Sequence, residues 1–384
     1  MDPSSTTMIS STGRVWARTL FKARSTRARR LNVGMTTEIS TSVSMLVDYI
    51  KKLLYATGVL GAYHRWRNRY TLTVVMFHRV LEPQDPRWMS CDPDYTLRAD
   101  HFSACLGFLA RHYNVVSVEQ VLAARRGQAT LPRCALLITF DDGWADNVMY
   151  ALPRMAAHAL PGLIFVVADA VDRDAAFFQE RIVAAFRLGR LEAARLRQVL
   201  RLHVDELPAL RGEGLDEIRS LVKVVEDMPQ ARRERLLQDL GAALSDGCRQ
   251  MVTHTELGQL ADGGIAIGVH GKTHVPLTQA TDLDAELTGA RQSLAARRPE
   301  AAPPETLSFP HGRFTAEVAE RARLAGFELL FNSVPAINPT RHSVDGMLAR
   351  AGLETEVMID RAGRFRAERL ALYLFRRPHQ ALST

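Results

Sequence analysis

The chain has 384 residues, of which 47% are hydrophobic and 24% are charged, a composition typical of a folded globular protein with one large domain or two smaller ones. No apolar run approaches the roughly 20 residues of a bilayer-spanning helix, so the sequence predicts no transmembrane segment. The four cysteines lie far apart without a C-x-x-C pair, which argues against a zinc knuckle and a disulfide framework and favours a reducing compartment.

Much of the net charge of +7 lies near the start of the chain. Between Pro3 and Thr37 there is no Asp or Glu, whereas seven Arg and Lys side chains lie among Ser and Thr. We predict that residues 1–42 form a basic, disordered leader. It resembles an organelle transit peptide, but we favour an upstream start codon, with Met35 or Met45 as the true first residue. Because this leader lacks an interleaved aromatic platform, we do not expect nucleic-acid binding.

An amphipathic helix is predicted next, within residues 43–70. From Ser44 to Gly61 the apolar side chains recur near helical spacing, and the basic sequence HRWRNR follows. We expect this helix to pack on its own domain. Because the sequence has no obvious secretion signal, the expected compartment is the cytoplasm. The alternative is a peripheral contact with an anionic membrane surface.

Strand-like and helix-like segments alternate from residue 71 onward. Short apolar runs predict buried strands at residues 71–77, 135–140, 162–167, 265–269, 306–309 and 327–331. Ser117 with Gln120, and Thr315, are predicted helix starts. Residues 172–252 contain Ala-, Leu- and Arg-rich helices without a strand, which predicts a helical insertion. Alternating βα units indicate a parallel sheet covered by helices, either a barrel or an open doubly wound sheet.

Two carboxylates, Asp141 and Asp142, follow directly after the predicted strand 135–140. The carboxyl ends of parallel strands are where α/β enzymes build their sites. Successive residues that leave a strand project differently, so one carboxylate can bind a metal while the other faces an attacking water as a base. The alternative is an ordinary Asp-Gly turn with an incidental second acid.

Two histidines, His270 and His274, follow another apolar strand in IAIGVHGKTH. Imidazoles at i and i+4 on a helical turn share a face and can chelate one metal ion, although a lone histidine is more often structural. One carboxylate with two imidazoles leaves coordination positions open for water and substrate, as in catalytic zinc sites. The same ligands also suit non-heme Fe(II) oxygenases.

A third segment, LSFPHGRF, ends a predicted strand at Phe309 and turns through Pro310, His311 and Gly312. Its backbone N–H groups could face a developing oxyanion. The plainer interpretation is a strand-to-helix turn.

Together these three segments resemble the motifs of the polysaccharide deacetylase family, also called carbohydrate esterase family 4. TFDDG at 139–143 is similar to its first motif, HGKTH at 270–274 to its His-x-x-x-His motif, and SFPHG at 308–312 to its third. VVMFHRV at 74–80 resembles the opening strand of many bacterial members. The likeness covers roughly residues 71–335.

The resemblance implies a distorted, incomplete (β/α) barrel with a helical insertion, as a catalytic domain over residues 71–384. It implies a hydrolase that removes N-acetyl groups from an amino-sugar polysaccharide, oligosaccharide or lipid-linked glycan, so an acetylated glycan is the expected partner. Asp142, His270 and His274 would hold a divalent metal, most commonly zinc. Asp141 would be the base that deprotonates the attacking water.

Two positions depart from the family pattern. Ser308 stands near the place of an arginine that orients the base, and Arg350 is the expected substitute. The family's late Leu-x-x-His motif, whose histidine protonates the leaving amine, is missing. We therefore predict His311 as the acid, with His342 and His78 as alternatives.

The predicted substrate-binding residues are Trp144, Pro310, Gly312 and Arg350. Trp144 would offer a ring face to a sugar, or simply pack against its neighbours. Because the acid is missing, a glycan-binding protein with weak or no turnover is an alternative to the hydrolase. The Fe(II) oxygenase is a further alternative. The sequence gives no indication of the oligomeric state.

Overall fold

The structure is a computed structural model that describes residues 47–204, 206–207, 212–245 and 247–380. The predicted leader at 1–42 lies outside these residues. A helix at 47–56 opens the described part, and strands and helices then alternate.

The strands, in chain order, are β1 (Thr71–Phe77), β2 (Arg79–Leu81), β3 (Thr96–Arg98), β4 (Asn114–Val115), β5 (Ala135–Phe140), β6 (Gly162–Val166), β7 (Ile265–Val269), β8 (Thr306–Ser308), β9 (Leu329–Phe331), β10 (Asn338–Pro339), β11 (Met347–Leu348) and β12 (Ala351–Gly352). The α-helices are α1 (Val59–Arg67), α2 (Ala99–His112), α3 (Val118–Arg125), α4 (Leu152–Ala157), α5 (Phe178–Arg187), α6 (Ala193–Leu200), α7 (Leu215–Glu226), α8 (Gln230–Leu240), α9 (His254–Asp262), α10 (Ala290–Ala296), α11 (Ala316–Leu324), α12 (Thr355–Met358) and α13 (Ala367–Phe375). The predicted helix starts are confirmed, because Ser117 and Gln120 form the capping box of α3 and Thr315 caps α11.

One large sheet carries the fold, with the strand order β10-β1-β5-β6-β7-β8-β9-β11, and with β12 beside β1 and β4 beside β5. Its neighbouring strands run parallel, except that β10 is antiparallel to β1. β11 pairs with β9 at one end, and β12, just after it in the chain, pairs with β1 at the other. The two ends of the sheet are thus brought together, and the predicted distorted (β/α) barrel is confirmed.

Both faces of the sheet are covered by apolar side chains. Alternate residues of β1 enter different clusters: Leu72 and Val74 join one, whereas Val75 and Phe77 join the other. This follows from the strand period of two. Because a parallel sheet is buried on both sides, its strands are largely apolar along their whole length.

Helices α5 to α8 lie where the sequence predicts an insertion, and they have a hydrophobic cluster of their own. A buried guanidinium ties them to the barrel. Arg79 donates to Asp146 (2.9 Å), to Glu180 of α5 (2.7 Å) and to Gln250 (2.7 Å). The domain boundaries themselves stay a prediction.

The N-terminal helix is not continuous, contrary to the prediction of one helix through Gly61. Gly58 adopts a left-handed conformation with φ of +78°, which ends the helix at 47–56 before α1 begins. The inner side of α1 packs on the domain, as expected. His64 is buried there and stacks on Phe375 with 4.2 Å between ring centres.

Replacing Arg79 by methionine should strongly destabilise the protein, because two buried carboxylates, Asp146 and Glu180, would lose their counter-charge. We expect the free energy of unfolding to fall by about 3–5 kcal/mol in urea denaturation. The matched control is Arg126→Met, because Arg126 forms an exposed ion pair with Glu305 and Glu328. This substitution should change the free energy of unfolding little. Equal effects of the two substitutions would contradict a structural role for Arg79.

Candidate metal centre

Asp142 lies at the centre of a buried cluster at the carboxyl end of the barrel. Its Oδ1 atom is 3.3 Å from Nε2 of His270 and 3.3 Å from Nε2 of His274. Its backbone is left-handed, with φ of +79°. Since non-glycine residues rarely adopt this conformation, the turn after β5 is strained, as is common at functional sites.

The cluster fits a small divalent cation. One ligand atom from each of Asp142, His270 and His274 lies within 4.8 Å of the others. Two ligands bound about 2 Å from a tetrahedral zinc ion are about 3.3 Å apart, which matches the carboxylate–imidazole separations. The three side chains predicted as ligands are thus brought together in a geometry that can hold a metal.

His270 is oriented by a backbone carbonyl. Its Nδ1 atom lies 2.9 Å from the carbonyl oxygen of Ser308. A carbonyl only accepts, so Nδ1 carries a proton, and Nε2 is the nitrogen that faces Asp142. Such an outer partner is typical of metal-binding histidines, because it fixes both tautomer and ring plane.

His274 reaches the cluster from a loop, and the prediction that His270 and His274 share a helical turn is wrong. Its φ is +68°, outside the helical region. The buried carboxylate of Glu286 shapes this loop by accepting from the backbone N–H of Lys272 (2.7 Å) and of Thr273 (3.1 Å). These amides find their partner in a side chain rather than in a helix. No motif in the sequence indicates this role of Glu286.

Asp141, the predicted base, is held by Arg350. The guanidinium donates from Nη1 to Oδ1 (2.7 Å) and from Nη2 to Oδ2 (2.9 Å) of Asp141, and from Nη2 to the hydroxyl oxygen of Ser308 (2.7 Å). Arg350 is completely buried. It therefore fixes the carboxylate of Asp141, in the position expected for the substitute of the family arginine. Because it is buried, it does not line a substrate surface, contrary to its predicted substrate-binding role.

Both carboxylates are ionised at neutral pH. Burial alone raises the pKa of Asp141, but the charges of Arg350 and His270 outweigh it, so that the pKa lies below its ordinary value. Burial also opposes ionisation of Asp142, yet hydrogen bonds from His270 and His274 hold its pKa well below the ordinary value. An ionised Asp141 is able to accept a proton.

The predicted third motif lies against the cluster as a single turn, Pro310–Gly312. His311 donates from Nε2 to the carbonyl oxygen of His274 (3.1 Å), and its Nδ1 lies 3.6 Å from Glu226 in the helical insertion. Burial, followed by the charge of His274, lowers the pKa of His311 well below its ordinary value. Neither ring nitrogen of His311 therefore presents a proton to a substrate in this arrangement.

The two alternative acids lie at different ends of the barrel. His342 follows a segment that pairs with the start of β1, since the N–H of Thr340 donates to the carbonyl of Tyr70 (2.9 Å). It is therefore remote from the cluster. His78 directly follows β1, at the cluster end, and its charge lowers the pKa of both Asp141 and Asp142. Of the two alternatives, only His78 is placed near the site.

Trp144 is buried and supports the cluster instead of facing solvent. Its indole N–H donates to Oδ2 of Asp142 (3.0 Å), and the guanidinium of Arg79 lies 4.4 Å from its ring centre. Phe177 packs edge-to-face on the same ring at 5.6 Å and also lies 4.2 Å from the ring of His274. The predicted sugar-stacking role of Trp144 does not fit this arrangement. No motif in the sequence indicates this contact of Phe177, which is an isolated aromatic residue.

Pro310 and Gly312 shape the turn. Pro310 is buried. The N–H of Gly312 donates to the carbonyl of Phe309 (2.8 Å) and closes the turn. The amide of Gly312 is thus engaged inside the protein, and its predicted substrate contact stays a prediction.

Comparison with known proteins shows that solved structures share the fold of this chain. No family model and no curated protein matches the sequence. The Streptococcus pyogenes deacetylase PplD in complex with acetate is 14% identical, with 80% of this chain and 99% of that chain covered and a TM-score of 0.50. IcaB from Ammonifex degensii is 16% identical, with 79% and 97% covered and a TM-score of 0.50. BC0361, a polysaccharide deacetylase from Bacillus cereus, is 13% identical, with 80% and 69% covered, but its TM-score is only 0.48.

The first two of these structures establish the class of fold. The chain has the fold of the deacetylase PplD and of IcaB, although so few residues are identical. The predicted resemblance to the polysaccharide deacetylase family is therefore confirmed at the level of the fold.

We expect the wild-type chain to bind one zinc ion in a calorimetric titration. Asp142→Asn and His274→Ala should each weaken the affinity by more than about 100-fold, because losing a ligand costs more than losing an outer partner. The control is His254→Ala, a histidine with an exposed side chain, which should bind zinc as the wild type does. Unchanged affinity in Asp142→Asn would contradict the assignment.

Trp144→Phe keeps the ring packing but removes the hydrogen bond to Asp142. We expect about 10- to 100-fold weaker zinc binding, as for other outer partners of metal ligands. The same titration on Trp88→Phe, a tryptophan outside the cluster, should show the wild-type affinity. If both variants bind alike, the indole N–H does not position Asp142.

Proposed function

We propose that this protein is a metal-dependent hydrolase that removes N-acetyl groups from an amino-sugar glycan, acting on carbon–nitrogen bonds other than peptide bonds. One observation carries the proposal. An ionised carboxylate, Asp141, is held by Arg350 directly beside the cluster of Asp142, His270 and His274. A metal-binding group next to an oriented base is an arrangement that supports metal-assisted hydrolysis of an amide.

Asp142, His270 and His274 would hold the cation, and zinc is the proposed ion because one carboxylate and two imidazoles suit it. Once bound, the cation lowers the pKa of a neighbouring water and polarises the acetamide carbonyl. Every remaining role falls to side chains of the chain itself.

Asp141 accepts a proton from the attacking water at one of its carboxylate oxygens. Both oxygens already accept from Arg350, but each has a second lone pair, so one remains for the water. The fork of the guanidinium fixes the plane of the carboxylate and keeps it charged. Arg350 is thus a positioning residue for the base.

In the reaction, the water oxygen forms a bond to the acetyl carbon, the carbon–nitrogen bond breaks, and acetate and a free amine leave. The amine needs one proton. Asp141 carries one after the first step and is the donor that this geometry favours. His311 would first have to release the carbonyl of His274, and His78 is the remaining alternative donor.

The hydrogen bond from Nε2 of His311 to the carbonyl of His274 favours a second candidate function, a glycan-binding protein that keeps the site but turns over weakly or not at all. It predicts binding of zinc and of an acetylated glycan without release of acetate. An Fe(II) oxygenase would instead require iron and 2-oxoglutarate, so the same purified protein separates the three hypotheses.

The direct test is acetate release from N-acetylglucosamine oligomers by the zinc-loaded protein. Asp141→Asn should lower kcat by about 10²- to 10⁴-fold, the usual contribution of a general base, while one zinc ion is still bound. Asp262→Asn, at an exposed carboxylate, should leave kcat unchanged. Because Asn leaves Arg350 without a counter-charge, folding of the variant is checked by circular dichroism.

No acetate from any acetylated glycan, with folded and zinc-loaded wild-type protein, would contradict the hydrolase. Glycan binding in that experiment would then support the second candidate.

A further inference from the structure

Exposed apolar side chains are concentrated at the N-terminal side of the described chain. Residues 47–70 hold eight of the fourteen exposed large hydrophobic side chains of the described residues, namely Val47, Tyr49, Ile50, Leu53, Val59, Tyr63, Trp66 and Tyr70. Among the described residues no helix is long and apolar enough to cross a membrane. A patch of this kind on a helix marks a surface that contacts something else.

On α1 these side chains share one face. Val59, Tyr63 and Trp66 are spaced i, i+4 and i+7, and Tyr70 follows just beyond the end of the helix. Trp66 is the most exposed of them, at 68%. We call Val59, Tyr63, Trp66 and Tyr70 the aromatic face.

The opposite side of α1 is firmly packed. Leu60 and His64 are buried, and His64 contacts Tyr113 (4.5 Å between ring centres) as well as Phe375 (4.2 Å). Arg67 donates to the carbonyls of Phe375 and Arg377. The aromatic face is therefore the outward side of a docked helix.

Positive charge surrounds the aromatic face. Residues 49–81 contain no Asp or Glu, but they do contain Lys51, Lys52, Arg65 and Arg69. Arg69 and Arg341 both lie over the ring of Tyr70, at 5.2 Å and 5.8 Å from its centre. Amphipathic aromatic rings bordered by Arg and Lys match the interface of an anionic bilayer, where rings enter the headgroup layer and cations meet lipid phosphates.

We propose that the aromatic face binds the surface of an anionic lipid bilayer. A second copy of this chain fits less well, because it would bring two strongly basic patches together. The proposal concerns binding only and does not depend on the proposed activity.

The attachment would fix which way the barrel points. Tyr70 precedes β1, and the last residue of β1, Phe77, is paired with Phe140, which precedes Asp141. A strand of this length spans about 20 Å. The metal centre would therefore lie at the end of the barrel away from the lipid, where it can reach a glycan in the aqueous phase.

The test is co-sedimentation of the full chain with vesicles. We expect binding to phosphatidylcholine vesicles that contain about 30% phosphatidylglycerol to be at least about tenfold tighter than to pure phosphatidylcholine, and to weaken with salt. Tyr63→Ser combined with Trp66→Ser should weaken it by about tenfold without changing any charge. Each single substitution should give an intermediate loss, which provides a result if the double variant folds poorly.

The matched control replaces two exposed apolar side chains outside the aromatic face, Met89→Ser with Leu202→Ser, and should bind as the wild type does. All variants keep the basic residues from Pro3 to Thr37. If the aromatic variant binds as tightly as the control, those residues or bulk charge account for binding and the proposal is wrong. It is equally wrong if the aromatic substitutions change only the oligomeric state in analytical ultracentrifugation.

Discussion

The carboxylate of Asp142 is the constraint on which the site depends. One of its oxygens is shared between the imidazoles of His270 and His274, and the other accepts from Trp144. Three of the six non-glycine residues with positive φ in the described chain are Asp142, His274 and His311. Such conformations cost about 1–3 kcal/mol each, so the surrounding contacts must hold the backbone in place. The rest of the structure provides those contacts.

The closure of the sheet provides one of them. Arg350 lies in the short segment that joins β11, at one end of the sheet, to β12, at the other. Its guanidinium therefore enters the barrel beside the end of β5 and meets Asp141. This bond fixes the carboxylate of Asp141. The left-handed backbone at Asp142 then directs the carboxylate of Asp142 toward His270 and His274. The bond to Arg350 and the backbone geometry at Asp142 thus point the two neighbouring carboxylates in different directions.

The helical insertion provides the other contacts. Glu180 binds Arg79, Arg79 covers the ring of Trp144, and Trp144 donates to Asp142. This chain of contacts links a helix outside the barrel to the ligand at its centre. The insertion thus contributes to the metal centre, although its composition indicates only amphipathic helices.

The strands could be predicted from the sequence, because a parallel sheet buried on both faces leaves largely apolar runs such as β1 and β5. The site could be predicted as far as strand ends determine it, which includes Asp141, Asp142 and His270. The loop that carries His274 could not, because it is shaped by Glu286, whose contact with it depends on tertiary packing. For the same reason the predicted stacking of Trp144 on a sugar was wrong, since its position after Gly143 in the sequence does not reveal whether its ring faces solvent.

Anomalous diffraction from crystals grown with zinc would show whether Asp142, His270 and His274 bind the same ion. We expect one strong peak about 2 Å from a ligand atom of each side chain, the usual length of zinc–oxygen and zinc–nitrogen bonds. Zinc bound elsewhere, with these three side chains clear and well ordered, would contradict this expectation.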